Sequence, residues 1–450
     1  MLYRKIEHSI KAHLKSSSSK ILLVEGARQI GKSFIIRKVG QELFQNYIEL
    51  NMVEDKEYNH LFEHVHSTDD FYIAVSSIAG DKMDQKENTL IFIDEIQEYP
   101  QLLTLLKFLR TEDKYTYIAS GSLLGLALAE TTSIPIGSIE RKRMYQLDFE
   151  EFLIANGVGF DVIENMQNHF RNRASLNENI HNHIMSLFRR YLIVGGMPDC
   201  VNEYLASRNV ALIRQIQTDI IRYYRADASK RDELKKLKIR RIYDMLPSTM
   251  QSTKKRIVVK DIEGIKGKRY HNYADEFDYL INSGIANDVK AISNPTFPLC
   301  QSEDKNLLKL YMNDVGLLSC LLYQNNTKPI LDDVRSINLG ALYETVIASE
   351  LKAIGFERLF YYDNRKNGEV DFLIDDYDTL SVLPIEVKSG RDYQIHHAIT
   401  KFVTNKDYPV KEGIVLSNNR DVVISNDIVY LPIYYCMFLK NEVENAELLL

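Results

Sequence analysis

The sequence of 450 residues has no tryptophan and only four cysteines. The cysteines, at Cys200, Cys300, Cys320 and Cys436, show no CxxC spacing, so they argue against a disulfide framework and indicate buried thiols in a reducing compartment. No run reaches about 18 apolar residues, the length needed to cross a membrane. The N-terminal stretch MLYRKIEHSIKAHLK reads as an amphipathic helix and lacks the apolar core of a signal peptide. We therefore expect a cytoplasmic protein with no membrane partner.

Strong net charge is also missing, because the formal charge is only −6. This weak negative field repels phosphate, so a nucleic-acid surface would have to be a local basic patch. Charged residues make up 26% and apolar residues 45%, which is the balance of a globular chain. The length predicts about three domains at about 150 residues each.

The order of apolar runs predicts a multidomain α/β protein. Over residues 1–155, short apolar strands alternate with helical stretches, which indicates a parallel sheet. Residues 156–235 read as polar amphipathic helices, broken near Gly195, and we interpret them as a helical lid or connector. Helices followed by a β-ribbon over 236–330 predict a winged-helix-like module. Residues 331–450 predict a second α/β domain, with a helix, a strand hairpin, a further helix near Ile395 and a last strand.

The octapeptide GARQIGKS follows the apolar run ILLVE and precedes a helix-forming segment, as a P-loop requires. In such a loop, backbone N–H groups surround the phosphates, the lysine reaches the β/γ oxygens and the serine holds Mg²⁺. The sequence therefore predicts an ATP and Mg²⁺ site, although it does not decide between ATP and GTP. Its predicted nucleotide-binding residues are Gly26, Ala27, Arg28, Gln29, Ile30, Gly31, Lys32 and Ser33.

Two further strand ends carry polar groups that suit the same site. TLIFIDE ends on Asp94 and Glu95, which we interpret as the magnesium carboxylate and the catalytic base that polarises the attacking water. TYIASGS ends with Ser120, whose hydroxyl either contacts the γ-phosphate or water, or is a simple turn serine. Together with Lys32, these residues predict ATP hydrolysis.

These motifs, with LDFEEFL at Leu147–Leu153 and YLIVGGMPD at Tyr191–Asp199, resemble the AAA-type ATPases of archaea and bacteria that carry a C-terminal domain of unknown function. The resemblance implies an arginine finger, which a neighbouring copy in a homo-oligomer usually donates. Many relatives have Gly-Arg ahead of LDFEEFL, whereas this chain has Gly137-Ser138. Arg141 is our candidate, and a solvated charge run over Glu140–Arg143 is the alternative.

Three segments near the C-terminus supply a second set of charged residues: Glu344 in an amphipathic helix, Asp371 in EVDFLID, and Glu386 with Lys388 in PIEVKSG. Strand alternation places Glu386 and Lys388 on one face, and Asp371 can meet them from the neighbouring strand. Asp371 and Glu386 would hold a divalent metal, and Lys388 would orient water or neutralise developing charge. The alternative is a same-face salt bridge on a half-exposed strand.

The same four residues resemble the PD-(D/E)xK phosphodiesterases, and the resemblance covers about residues 338–419. It implies a restriction-endonuclease-like fold for the C-terminal domain, with Val370-Asp371 in place of the usual Pro-Asp. The implied activity is metal-dependent cleavage of a nucleic-acid strand.

A dense basic stretch in the middle of the chain makes DNA a possible partner. An ordinary solvated helix–loop–helix is the alternative. Our leading hypothesis is an ATPase whose nucleotide state controls a DNA-engaging, nuclease-like domain. The rival is a non-cleaving ATP-dependent switch that binds nucleic acid or a protein. The basic residues are Lys254, Lys255, Arg256, Lys260, Lys266, Lys268 and Arg269.

Overall fold

A computed structural model describes residues 1–16, 18–122, 137–227, 233–332, 338–389 and 397–439. The chain divides into two compact units. The first comprises Tyr3–Gln146 and Tyr279–Ile285, and the second comprises Leu147–Asp278 and Ala286–Leu450.

The first unit is built on a five-stranded sheet in the order β2-β3-β4-β1-β5, with every pair of neighbours parallel. All six residues of β3 are buried, as expected for a near-continuous apolar run inside a parallel sheet. The predicted parallel α/β core is therefore confirmed. The strands are β1 (Ile21–Glu25), β2 (Asn46–Asn51), β3 (Thr89–Asp94), β4 (Thr116–Gly121) and β5 (Ile139–Arg143).

Helices connect and cover these strands. The predicted N-terminal helix is present, and it keeps Ile10 buried while its charged side face carries Glu7 and Lys11. The α-helices are Ile6–Lys15, Lys32–Leu43, Met52–Glu54, Thr68–Ala79 and Pro100–Glu112. Short 3₁₀ turns occur at Gly80–Lys82, Lys86–Asn88 and Ile96–Glu98, and a π-turn occurs at Asp55–Asn59.

The second unit begins with helices, as the sequence predicts for residues 156–235. The predicted break is present, because one helix ends at Val194 and the next begins at Pro198. Gly195 adopts a φ of +73°, which glycine tolerates best. The helices are Phe149–Ala155, Phe160–Arg171, Glu178–Val194, Pro198–Ser207, Val210–Asp227, Glu233–Gln251, Lys260–Glu263, Val315–Tyr323, Lys328–Leu331, Gly340–Ala353 and His397–Val403. A further helix, Ala274–Asn282, begins in this unit and ends within the segment Tyr279–Ile285 of the first unit.

An eight-stranded mixed sheet completes the second unit, in the order β12-β13-β11-β10-β9-β8-β6-β7. Three 3₁₀ turns accompany it, at Tyr270–Tyr273, Leu299–Ser302 and Ile433–Phe438. The strands are β6 (Ala286–Ile292), β7 (Glu303–Met312), β8 (Leu359–Asn364), β9 (Gly368–Asp376), β10 (Ser381–Val387), β11 (Gly413–Ser417), β12 (Val423–Ser425) and β13 (Ile428–Pro432).

The β-ribbon predicted within residues 236–330 is present as the antiparallel pair β6–β7. However, β6 also pairs in parallel with β8, with Val289 opposite Leu359. Strands on both sides of the predicted boundary at 330 therefore share one sheet. A parallel pairing of this kind has no local sequence signal, because the two strands are far apart in the chain.

The helix Gly340–Ala353 is buried along almost its whole length, which places the charged Glu344 and Glu350 in the interior. The predicted helix near Ile395 falls at a position outside the described residues, and a helix follows it at His397–Val403. Among the helices described, none is both long and apolar enough to span a membrane.

Candidate nucleotide site and carboxylate cluster

The predicted P-loop connects β1 to the helix Lys32–Leu43 in the first unit. A Cβ added at Gly26 would lie 2.2 Å from the carbonyl oxygen of Met144, so only glycine fits there. Gly31 immediately precedes the helix and has a φ of +92°, a conformation in which a residue with a side chain would be strained. The glycines therefore let the chain turn tightly ahead of the helix N-terminus, as an anion-binding loop requires.

Lys32 is buried inside this loop, where its Nζ donates hydrogen bonds to the carbonyl oxygens of Gly26 (3.0 Å) and Ala27 (2.9 Å). Burial lowers the pKa of Lys32, although the carboxylates of Glu95 and Asp94 act in the opposite direction. The ammonium group thus lies on the inner side of the loop, at the position from which a P-loop lysine reaches phosphate oxygens.

Asp94 lies at the end of β3, and its carboxylate accepts hydrogen bonds from two hydroxyl groups. Ser33 Oγ donates to its Oδ2 at 2.6 Å, and Ser120, at the end of β4, donates to its Oδ1. Burial raises the pKa of Asp94, while the hydrogen bonds from Ser120 and Ser33 oppose that rise. The structure therefore brings the predicted Ser33, Asp94 and Ser120 together at the carboxyl ends of adjacent strands.

Glu95 follows in a left-handed backbone conformation, with a φ of +52°. Its Oε2 accepts hydrogen bonds from Gln97 Nε2 (2.5 Å) and Ser122 Oγ (3.0 Å), and Lys32 Nζ lies 3.9 Å from its Oε1. Burial raises the pKa of Glu95, but Lys32, Gln97, Arg28 and Ser122 together outweigh burial, so the pKa is lowered. Glu95 is therefore an ionised carboxylate at neutral pH.

Gln97 and Ser122 were not among the predicted site residues, although they lie two residues after Glu95 and Ser120, within or beside the motifs. Arg4 was also missed, and its isolated position before the first helix gives no motif signal. Arg4 is buried, and its Nη1 donates to the carbonyl oxygen of Ile30 at 2.9 Å, which ties the N-terminal segment to the loop.

The remaining predicted loop residues lie around Lys32. Ala27 and Ile30 are buried, and Gln29 adopts a φ of +64°. Arg28 Nη2 lies 3.9 Å from Glu98 Oε1. The segment Tyr279–Ile285 of the same unit approaches the loop, because a Cβ on Gly284 would lie 3.0 Å from the backbone nitrogen of Ala27.

Arg141, the candidate arginine finger, lies on β5 at the edge of the sheet. Its side chain is 46% exposed, and its Nη2 lies 2.6 Å from Glu25 Oε2. The guanidinium thus pairs with a carboxylate of its own chain, and its role as a finger stays a prediction.

The second predicted site lies within the second unit. Asp371 on β9 accepts a hydrogen bond from the backbone N–H of Val387 at 2.8 Å, which ties it to the strand that carries Glu386. Lys388 Nζ lies 2.7 Å from Glu386 Oε1. Glu344 and Glu386 are both less than 10% exposed. We call Glu344, Asp371, Glu386 and Lys388 the carboxylate cluster.

The electrostatics show that these carboxyl groups influence one another. Burial is the main cause that raises the pKa of Glu386 to about 8, and the charge of Asp371 adds to it. Burial and Asp371 also raise the pKa of Glu344. Within the described part of the chain, the buried Glu386 Oε2 has no hydrogen-bond partner.

Two lysines and a tyrosine also belong to this region, and the motifs did not predict them there. Lys255 Nζ donates to Glu344 Oε1, and Tyr311 OH donates to Glu344 Oε2 at 2.9 Å. Lys309 is fully buried, with its Nζ 2.5 Å from Glu369 Oε1. Lys255 was expected to bind phosphate as part of the basic stretch. Here its ammonium group pairs with the carboxylate of Glu344, and phosphate binding by the basic stretch stays a prediction.

The carboxylate cluster offers few metal ligands. In the described ranges, no group of three or more His, Cys, Asp and Glu side chains is placed to hold a metal ion. The metal predicted at Asp371 and Glu386 would therefore have two protein carboxylates, and it stays a prediction.

Three parts of the chain match known family models. Residues 18–153 match the family model described as an AAA domain. This part of the chain is therefore similar to an AAA domain. Residues 185–328 and 339–436 match two models, described as domain of unknown function (DUF8612) and domain of unknown function (DUF4143). The predicted resemblance to AAA-type ATPases is thus confirmed at the level of the AAA domain.

One matching solved structure is the Walker-type ATPase PABY2304 of Pyrococcus abyssi. It is 14% identical to this chain with a TM-score of 0.44, and the match covers 72% of this chain and 96% of the other. The comparison with curated proteins finds no match.

Proposed function

We propose that the AAA domain binds ATP with Mg²⁺ and hydrolyses it. The observation that carries this proposal is the convergence of Lys32, Ser33, Asp94, Glu95 and Ser120 at one edge of the parallel sheet. In an open α/β sheet, this edge is where ligands bind.

The residues present suit Mg²⁺, because Ser33 Oγ and the Asp94 carboxylate are adjacent hard oxygen donors, 2.6 Å apart. These two residues would hold the ion, which neutralises phosphate charge when bound. Lys32 would bind the β/γ-phosphate oxygens, and Glu95 would accept a hydrogen bond from the attacking water. Ser120 would hold Asp94 in place and contact the γ-phosphate or this water.

The test is Mg²⁺-dependent ATP hydrolysis by the full chain, with Lys32→Ala as the comparison. We expect hydrolysis by the wild type and its loss in Lys32→Ala. Equal turnover in the two proteins would overturn the proposal. GTP in a parallel reaction decides the nucleotide preference. An Arg141→Ala protein with unchanged turnover would remove Arg141 as the arginine finger.

A second candidate function is phosphodiester cleavage by the C-terminal region. It is favoured by the grouping of the carboxylate cluster around the buried Glu386 Oε2, which has no protein partner among the described residues. Asp371 and Glu386 would hold a divalent metal, which lowers the pKa of a bound water when present. Lys388 would orient that water. The winged-helix-like module and DNA as a partner belong to this candidate.

The rival candidate is a switch that binds DNA or a protein without cleavage. Incubating single-stranded and duplex DNA with the full chain and Mg²⁺ or Mn²⁺ separates the two. Cleavage by the wild type and its loss in Lys388→Ala support phosphodiester cleavage. Intact DNA in every reaction, with normal ATP turnover, supports the switch.

A further inference from the structure

A basic cleft with a volume of about 710 Å³ lies in the second unit, outside the carboxylate cluster. Its lining includes four cationic side chains, Lys254, Arg256, Arg365 and Lys366, but only one carboxylate, Asp363. Four positive charges less one negative charge leave three positive charges facing the cleft. This local field is opposite in sign to the net charge of −6 of the whole chain, and it attracts anions to the cleft.

The single carboxylate is already engaged. Asp363 Oδ2 lies 3.0 Å from Arg256 Nη1, so this ion pair holds the guanidinium in the wall of the cleft. In the described part of the chain, no acidic side chain pairs with Lys254, Arg365 or Lys366. These three cations are therefore available to an anionic ligand.

The backbone around the cleft is held in place on both sides. Asn364 Oδ1 accepts hydrogen bonds from the N–H groups of Lys366 (2.9 Å) and Asn367 (3.3 Å), which fixes the turn between β8 and β9. On the other side, the N–H of Ile257 donates to the carbonyl oxygen of Leu308 at 2.9 Å. The cations are thus presented from backbone that needs little reordering on binding.

The cleft is next to the carboxylate cluster. Lys254 and Arg256 line it, while Lys255 between them donates to Glu344 of the cluster. Asp363 pairs with Glu369 across β8 and β9, and Glu369 is two residues before Asp371. A strand held in the cleft would therefore lie beside the residues proposed to act on a phosphodiester.

We propose that the cleft binds the backbone phosphates of a single-stranded nucleic acid. Its volume is that of a site for a small ligand, which suits one or two nucleotides of one strand better than the wide surface of a duplex. No aromatic ring is among the described residues that line it, so bases would not stack there. Binding would depend on phosphate contacts and be indifferent to sequence. The proposal deepens the proposed phosphodiesterase function, and the binding itself does not require cleavage.

The test measures binding of a fluorescein-labelled oligothymidylate to the full chain in EDTA, over a range of salt concentrations. The cleft variant reverses two exposed charges of the β8–β9 turn, Arg365→Glu with Lys366→Glu. The matched control reverses two exposed lysines outside the cleft, Lys406→Glu with Lys411→Glu. Both variants change the net charge equally, so a general field effect weakens both.

We expect the affinity of the cleft variant for the oligonucleotide to be lower by about tenfold or more. The slope of log affinity against log salt concentration should fall by the equivalent of about one to two phosphate contacts. The control should bind within about twofold of the wild type. The neutral pair Arg365→Gln with Lys366→Gln should give an intermediate loss, which excludes misfolding as the cause. Equal weakening in cleft and control variants, or none in either, would overturn the proposal.

Cleavage assays with Mg²⁺ or Mn²⁺ separate this proposal from the proposed phosphodiesterase. Cleft-dependent binding without any cleavage supports the cleft and removes the phosphodiesterase. Cleavage that is lost in Lys388→Ala but unchanged in the cleft variant, with unchanged binding, supports the phosphodiesterase and removes the cleft.

Discussion

Glu95 has an unfavourable backbone conformation, and its carboxylate is engaged by neighbouring polar groups. A φ of +52° is costly for a residue with a Cβ, and such strain is concentrated at functional sites. The conformation directs the carboxylate toward Gln97 and Ser122, while Lys32 lies 3.9 Å away. The neighbouring groups therefore fix both the position and the charge of the proposed base.

We predict that Glu95→Gln lowers ATP turnover by about 10²-fold or more, because an amide cannot accept the proton of the attacking water. Nucleotide binding should remain, since Lys32 and the loop are unchanged. Single-turnover hydrolysis and binding of a fluorescent ATP analogue measure the two quantities. Glu57→Gln, at an exposed position of the same unit, is the matched control. A Glu95→Gln protein as fast as the wild type would rule out Glu95 as the base.

Glu386 gives a prediction about pH. Its pKa rises from 4.5 to about 8 through burial, with Asp371 adding repulsion and Lys388 opposing it. The folded state therefore binds a proton more tightly than the unfolded state. Stability from this group is complete below about pH 4.5 and is lost as the pH rises to about 8, by at most about 1.4 kcal/mol per pH unit.

Thermal unfolding of the full chain, followed by circular dichroism between about pH 5 and 8, checks this dependence. In Glu386→Gln we expect stability to fall less steeply as the pH rises. The stability of this variant relative to the wild type should therefore be greatest near pH 8. Glu357→Gln, at an exposed position, should keep the wild-type decline. Parallel curves for all three proteins would contradict the proposed protonation of Glu386.

At the scale of elements, Asp314 connects two helical segments of the second unit. Its Oδ1 accepts the N–H of Leu317 at 3.0 Å and so caps the helix Val315–Tyr323. Its Oδ2 accepts the N–H of Gly196 at 2.6 Å, at the break between two other helices. A Cβ on Gly195 would lie 2.2 Å from Asp314, so glycine is required for this approach.

We predict that Asp314→Ala destabilises the second unit by about 2 to 4 kcal/mol, because it removes a cap and leaves a buried N–H without its acceptor. Asn177→Ala removes an exposed cap in the same unit and should cost about 1 kcal/mol or less. Denaturant unfolding measures both. Equal losses would mean that the bond to Gly196 contributes nothing beyond ordinary capping.

The sequence predicted the elements whose signals are local. The P-loop, β3 with Asp94 and Glu95, and β4 with Ser120 are each recognisable from a short apolar run and the polar residues that end it. The partners that reach a site from elsewhere carry no such signal. Arg4 and Lys255 are ordinary basic residues in sequence, and only tertiary pairing places them at Ile30 and Glu344.

At the scale of the whole molecule, the first structural unit is not one continuous stretch of the chain. The predicted first domain covers residues 1–155, whereas the compact unit comprises Tyr3–Gln146 together with Tyr279–Ile285. Within this unit the returning segment contacts β5, because Arg143 Nη2 donates to the carbonyl oxygen of Ile281 at 3.1 Å. A composition change marks the end of a domain in sequence, but it cannot show that a later segment returns to it.

The returning segment links the proposed ATP site to the second unit along the chain. Gly284 lies against the P-loop, and β6 begins two residues later. We predict that ATP changes the affinity for oligothymidylate and that the oligonucleotide changes the affinity for ATP by the same factor, since coupling is reciprocal. A factor of about 5 or more is expected for a regulated pair. Two equilibrium titrations with a non-hydrolysable ATP analogue, each with and without the other ligand, measure both factors.

Lys32→Ala is the control, because weaker nucleotide binding should abolish the effect of the analogue on the oligonucleotide without changing oligonucleotide affinity itself. The variant Arg365→Glu with Lys366→Glu should lower the affinity for the oligonucleotide. Its affinity for the ATP analogue, measured without DNA, should stay unchanged. If both factors equal one, the AAA domain and the basic cleft act independently. The returning segment would then be only a structural connection, and ATP hydrolysis would have to control something other than nucleic-acid binding.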